Sequence, residues 1–339
     1  MRVTQQDIAR YAQVSQATVS RVLAGDERVE PEIREKVLDA IEQHNYRPDA
    51  RARSLRSKST GLIGLAIKRP HPGLDGDPFY TSLISELLDG LSETAYRLTL
   101  QSIREDESQW SVYDALLRTR SVDGLILIES EADDERLVRL QRDQFPFVLI
   151  GNPMSNRVWS VDNDNVLAGV KATQHLFDSG YRKIGYLGGH SGLTVSEDRF
   201  EGYLKVVIGH GLTPRVWRSE FGLEAAREAA GEILRGSEPP DALVVLDDYM
   251  AMGVVAAARR AGLRIPQDLG LVGFNDSVVC EMVDVGLSSV SLDIPLLVQT
   301  ALSTLLAVIA REEQGEPQRV IVPSVLKVRG SSIRTGGLL

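Results

Sequence analysis

The sequence predicts a small all-α N-terminal unit followed by a doubly wound α/β body. Three observations carry that prediction. The first 45 residues place apolar side chains at helical spacing, interrupted twice by short turn-forming segments. From residue 61 onward, short continuous apolar runs alternate with helical patterns, as buried parallel strands and their covering helices do. Charge is divided as well: residues 1–60 hold 11 Lys and Arg against 9 Asp and Glu, although the whole chain carries −9.

Composition limits the remaining choices. The 339 residues are 43% hydrophobic and 25% charged, enough for two or three globular domains. No run of about 18 uncharged apolar residues occurs, so no membrane span is expected. The residues from Met1 to Asp7 lack the apolar core of a secretory signal. A single cysteine, Cys280, leaves no disulfide framework and no multi-thiolate metal site. The expectation is a cytoplasmic protein.

The N-terminal elements follow from capping and period. Thr4 with Asp7 three residues later is an acidic variant of the capping box, and Ile8, Ala9, Tyr11 and Ala12 continue at helical spacing. Gln13-Val14-Ser15 breaks that helix, and Ser15 caps a second one carrying Ala17, Val19, Val22 and Leu23. Gly25 ends it. A third helix starts near Pro31 and runs through Ile33, Val37, Leu38 and Ile41 to about Asn45. A sharp turn between the first two helices makes this a helix-turn-helix.

In that unit the second helix enters the major groove of double-stranded DNA. Its predicted open face bears Gln16, Ala17, Ser20 and Arg21. Arg21 suits guanine, Gln16 a base edge, and the Ala17 methyl a thymine methyl. Thr4, Ser15, Thr18, Ser20, Asn45 and Tyr46 are the candidates for contacting or positioning the phosphate backbone. Between 46 and 58 stand five cations, Arg47, Arg51, Arg53, Arg56 and Lys58, against Asp49 alone. That balance suits a polyanion.

Specific residue blocks sharpen this. Val3-Thr4-Gln5-Gln6-Asp7-Ile8-Ala9, Val14-Ser15-Gln16-Ala17-Thr18-Val19-Ser20-Arg21-Val22-Leu23, Asn45-Tyr46-Arg47-Pro48 and Ala52-Arg53-Ser54-Leu55 closely resemble the LacI/GalR family of bacterial regulators. The resemblance implies that Gln16, Ala17 and Arg21 read bases. It also implies a hinge helix over 49–57, with Arg51, Ala52, Arg53, Leu55 and Arg56 at the minor groove and Leu55 as the wedge. Independently, residues 50–57 make barely two turns, too short for a stable isolated helix. The expected domains are 1–47 (DNA-binding), 48–60 (hinge and linker) and 61–339 (effector-binding and dimerisation core).

In the body, apolar runs at 62–67, 124–128, 147–150, 184–187, 242–246 and 269–272 read as strands. Helical patterns lie near 80–95, 108–118, 134–141, 165–179, 197–210, 223–235 and 249–262. Two doubly wound subdomains are expected, with a chain crossing near 151–161. Val122-Asp123-Gly124-Leu125-Ile126, Val161-Asp162-Asn163, Asp198-Arg199-Phe200-Glu201-Gly202-Tyr203 and Val272-Gly273-Phe274-Asn275-Asp276 extend the same resemblance through this body. It implies subdomains of periplasmic-binding-protein type that close on a small effector.

Ligands of such sheets sit beyond the carboxyl ends of the strands. Phe79, Asp162, Arg199, Asp247 and Asn275 are therefore effector-binding candidates. The resemblance implies contact by Arg199 and by Asp247 or Asn275, and adds Phe221, near a position where an aromatic stacks on ligand, so that aromatic faces and polar groups suit a sugar. Against the family pattern, Asn275 stands where aspartate is frequent and Asp247 where an amide is. The segment from Lys68 to Gly76 forms an unusually long Pro/Gly-rich loop.

Signals for catalysis are weak. Gly189-His190-Ser191-Gly192 lacks the final glycine of a nucleophile elbow, Leu193 filling that place. The five histidines have no metal-ligand spacing, so neither a metal nor a cofactor is expected. The resemblance implies a transcription repressor in the bacterial cytoplasm, at the nucleoid. It would bind a pseudo-palindromic operator as a homodimer and leave it when a sugar binds. The rival expectation keeps the DNA site but makes a purine or protein partner a corepressor.

Overall fold

The computed structural model describes residues 3–23, 25–26, 28–46, 59–68, 77–103, 109–154, 157–189, 192–311 and 315–334. The expected hinge residues Arg51, Ala52, Arg53, Leu55 and Arg56 lie outside these, as does the long loop after Lys68. The chain divides into two units, Met1–Thr60 and Gly61–Leu339.

In the first unit, Thr4 caps helix α1 (Gln5–Tyr11). Its Oγ1 accepts from the Asp7 N–H at 3.3 Å, while the Asp7 carboxylate accepts from the Thr4 N–H at 2.9 Å. Gln13, at φ 54°, turns the chain sharply into α2 (Gln16–Leu23). Ser15 Oγ accepts from the Thr18 N–H at 3.1 Å and so caps it. Helix α3 (Pro31–Gln43) opens on proline, whose missing N–H costs nothing in a first turn. Ile8, Val19 and Val37, one from each helix, are fully buried at the centre.

The second unit holds two lobes, each built on a six-stranded sheet. The first sheet is parallel throughout, in the order β11-β5-β4-β3-β1-β2. Its strands are β1 (Leu62–Lys68), β2 (Arg97–Ile103), β3 (Gly124–Ile128), β4 (Phe147–Ile150), β5 (Ser160–Asn163) and β11 (Arg319–Val322). Helices α4 (Pro78–Ser92), α5 (Gln109–Arg118), α6 (Glu135–Arg142) and α11 (Ile294–Ala310) cover it. The two-residue period of β3 explains its unbroken apolar run. Ile126 and Ile128 pack toward α4 and α11, and Leu125 and Leu127 toward α5 and α6.

The second lobe repeats the plan as β12-β10-β9-β8-β6-β7, with only β12 antiparallel. It comprises β6 (Ile184–Gly188), β7 (Arg215–Arg218), β8 (Ala242–Val245), β9 (Gly270–Asn275), β10 (Ser288–Ser291) and β12 (Val325–Lys327). Its helices are α7 (Asn165–Asp178), α8 (Thr194–Gly209), α9 (Leu223–Arg235) and α10 (Asp248–Arg260). At Gly169 and Gly202 helices α7 and α8 approach so closely that a Cβ at either position would strike backbone of the other helix. That approach sets Arg199 against the first turn of α7.

One expectation is corrected. The segment 151–161 does not cross between lobes: it joins β4 to β5 within the first sheet. The chain passes between lobes at 164, 292–293 and 323–324. Helix α8 also starts at Thr194, so Arg199 sits in its second turn. No helix among the described residues is long and apolar enough to cross a membrane.

Candidate functional site

In α2, Val19 and Val22 enter the core and leave Gln16, Ala17 and Arg21 exposed, with Thr18 and Ser20 half-buried. Several backbone-contact candidates already have structural work. Thr4 Oγ1 donates to Asp7 Oδ2 at 2.6 Å, and Ser15 and Thr18 share a 2.8 Å hydroxyl contact. Asn45 is exposed at φ 44°, in the turn that ends α3, and Tyr46 packs on the helical core.

Between the two lobes lies a cavity of about 560 Å³. Phe79, Asp162, Arg199, Phe221, Asp247 and Asn275 all line it. They arrive from different elements, because both sheets end their strands at this gap. Asp77 caps α4 through a 2.9 Å bond from the Phe79 N–H, which fixes the helix start beside the cavity. Asp247 caps α10 in the same way, its Oδ1 accepting from the Met250 N–H at 2.6 Å. Phe221 packs closely over Gly189, where a Cβ would stand 2.8 Å from the ring. Asn275 ends β9 in the left-handed region at φ 100°.

Arg199, 4% exposed, is the most constrained of the six. Its Nε donates to Asn165 Oδ1 at 3.0 Å and its Nη1 to the Leu246 carbonyl at 2.6 Å, with the guanidinium 4.4 Å from the Phe274 ring centre. Burial lowers its pKa, while the nearby Tyr186, Asp247 and Asp162 pull the other way.

The cavity wall is acidic. Glu129 follows β3 at φ 55° and accepts from the Tyr80 hydroxyl at 3.2 Å. Burial, then the charge of Asp77, raises its pKa. Asp247 is pushed up to about 7, by burial first and by Asp77 next. Asp162 is pushed up to about 6 by burial, although Arg319 donates to it at 2.6 Å. Arg136, the other arginine of the wall, is held by Asp134 and by the Glu129 carbonyl. The wall therefore opposes an anionic guest and offers acceptors to hydroxyl and N–H donors.

A set of direct contacts joins the lobes at the cavity edge. Thr194 donates its N–H to the Ser130 carbonyl at 2.9 Å, and the two hydroxyls also meet at 2.9 Å. Glu131 and Leu193 form an antiparallel bridge, and Asn152 Nδ2 donates to Asp198 Oδ2 at 2.9 Å. Sequence reasoning pointed to Asp77-Pro78-Phe79-Tyr80 but did not single out Glu129, Arg136, Asn152 or Asn165 as site residues. Only the rule that strand ends face the ligand pointed toward Glu129 and Asn152. Among the described residues no cluster of His, Cys, Asp and Glu is arranged to hold a metal ion.

Comparison with known proteins completes the site. A model of the lacI family of bacterial regulatory proteins matches residues 4–49, and one of the periplasmic-binding-protein-like domain matches 173–332. Catabolite control protein A of Staphylococcus xylosus is 32% identical over 335 residues, covering 98% of this chain and all of that protein. A solved structure of the transcriptional regulator CelR–cellobiose complex is 28% identical, with a TM-score of 0.74 over 97% of this chain and all of the other. The lac repressor dimer bound to operator and the anti-inducer ONPF shares the fold. Its TM-score is 0.88 at 23% identity, over 98% of this chain and all of that one.

Proposed function

We propose, from the premise that the chain belongs to the LacI family of bacterial regulatory proteins, that this DNA-binding transcription regulator is a repressor released from its operator by an uncharged sugar. The observation that carries the effector class is the interlobe cavity, with carboxylates, amides and two buried arginines, Arg136 and Arg199, beside the rings of Phe79, Tyr80 and Phe221. Hydroxyls of a mono- or disaccharide donate to Asp77, Glu129 and Asp247 and accept from Arg199, while Phe79 and Phe221 cover apolar ring faces. A phosphorylated sugar meets the same carboxylates and is rejected.

Gln16, Ala17 and Arg21 read base edges, and the positioning residues around α2 hold phosphates. The reader is a homodimer on a pseudo-palindromic operator, its two helices one DNA turn apart. Apolar Val278 and Met282, each 65% exposed, offer surface for a second copy. The protein works at the nucleoid, in the bacterial cytoplasm, and binds its ligand without turnover. Asp162 and Asp247 are already committed to Arg319 and to the Met250 N–H, which supports binding over catalysis.

The test is a thermal-shift panel of cellobiose, maltose, ribose, glucose 6-phosphate and hypoxanthine. Ligand at about 100 times its Kd adds ~2.7 kcal/mol of stability. A neutral sugar is expected to shift the melting point and glucose 6-phosphate to leave it unmoved. A shift from the phosphate alone contradicts the reading. A hypoxanthine shift favours the corepressor, which the rings of Phe79 and Phe221 in the cavity wall would also suit.

A further inference from the structure

Three segments pass between the lobes, and one residue adjoins the first while its side chain bonds to the second and to the strand end before the third. Asn163, 3% exposed, ends β5 immediately before the first passage. Its Nδ2 donates to the Leu292 carbonyl at 3.0 Å and to the Val322 carbonyl at 2.8 Å. Leu292 stands in the second passage, and Val322 closes β11 before the third.

Through its backbone the same residue belongs to a longer network. Asn165, in the first turn of α7, donates from Nδ2 to Asp162 Oδ1 at 3.1 Å and to the Asn163 carbonyl at 3.2 Å. Its Oδ1 accepts from Arg199, which lines the cavity. Asp162 in turn accepts from Arg319 of β11. Asp162, Asn163, Asn165 and Arg199 are each at most 5% exposed. Buried amides tolerate lost partners poorly, so such a network favours two complete arrangements over intermediate ones.

We propose that Asn163 is the clasp of the interlobe hinge: it holds the three passages in register, and through Asn165 it ties their geometry to Arg199. It is a positioning residue. The clasp stands on the fold alone, whereas its coupling to an effector rests on the cavity reading above. A guest that draws Arg199 away from Asn165 relaxes the clasp. The far-edge contacts of Ser130 and Thr194 then open with it.

Hydrogen exchange of the full chain without ligand tests this, so its failure is distinct from failure of the sugar reading. Asn163→Leu is expected to speed exchange about tenfold at 292–297, at 322–327 and at the Thr194 amide. Asn163→Ser, which keeps one donor and a smaller side chain, is expected to fall between it and the wild type. Leu137→Ala serves as control, because it empties a fully buried site under α6 away from the passages. Its faster exchange is expected only within the first lobe. Wild-type rates at the passages in Asn163→Leu, or a profile matching Leu137→Ala, would overturn the clasp. Asn165→Ala is expected to speed the same passages, and acceleration confined to the start of α7 would overturn the link to Arg199.

Discussion

Arg21 and Arg199 carry the same guanidinium into opposite surroundings. Arg21 stands exposed on α2, open to solvent and salt, and in the reading proposed above it meets its base only when DNA binds. Arg199 is buried, and its bonds to Asn165 and Leu246 are made at folding. The desolvation of Arg199 is therefore a cost of the fold, and a ligand reaching it meets a group already aimed. This contrast teaches that the exposed face of Gln16, Ala17 and Arg21 can be altered with little effect on stability, whereas the cavity cannot.

Arg199→Ala should break the comparison most severely. Removing a charged, oriented donor is expected to weaken sugar binding by about 100-fold, or ~2.7 kcal/mol. It should also lower the melting point, since Asn165 and the Leu246 carbonyl lose their partner. Calorimetry on the ligand found in the panel checks this. A Kd within twofold of wild type removes Arg199 from the site.

Arg21→Ala is the milder counterpart. The melting point should hold, and one base pair of the preferred site should lose about 1–3 kcal/mol of discrimination. Selection from random duplex DNA with both proteins reads this directly. Identical preferences at every position would end the reader role.

A third test lies in the pH dependence of the cavity without ligand. Asp247 keeps its proton in the folded protein up to about pH 7, whereas an unfolded aspartate loses it near about 3.9. Between those values the folded state binds more protons, so stability falls as pH rises from about 4 to about 7. One such group contributes at most about 1.4 kcal/mol per pH unit. Asp247→Asn should remove that share and flatten the curve of melting point against pH. Asp162 and Asp248, both pushed up to about 6, keep a residual slope of the same sign. Parallel curves would show that Asp247 is ionised throughout.

How much of this was legible in the sequence depends on the range of the interactions. The helical unit was legible because its signals are local: Thr4 with Asp7, Ser15 before α2, Pro31 at the start of α3. Five of the six cleft candidates were reachable because strand ends face ligands in parallel sheets, a rule needing only the order of elements, and Phe221 came from the family resemblance. The hinge was not reachable. Asn163 meets Leu292 and Val322 across more than a hundred residues, and no spacing announces that. Strand β10, Ser288–Ser291, reads as a polar loop, yet Ser288 and Ser289 are fully buried. Ser288 Oγ donates to the Arg329 carbonyl and Ser289 Oγ to Asp248. Edge strand β2 is only partly covered, which weakens its apolar signal.

The central claim is that a sugar in the cavity loosens the hold of the protein on DNA. The direct measurement is fluorescence anisotropy of a labelled duplex, taken from the random selection, titrated with protein with and without the neutral sugar that the panel identifies. The account predicts a Kd for DNA raised at least about tenfold by saturating sugar, ~1.4 kcal/mol of coupling, and no change with glucose 6-phosphate. Unchanged or tightened DNA binding at saturating sugar would contradict it.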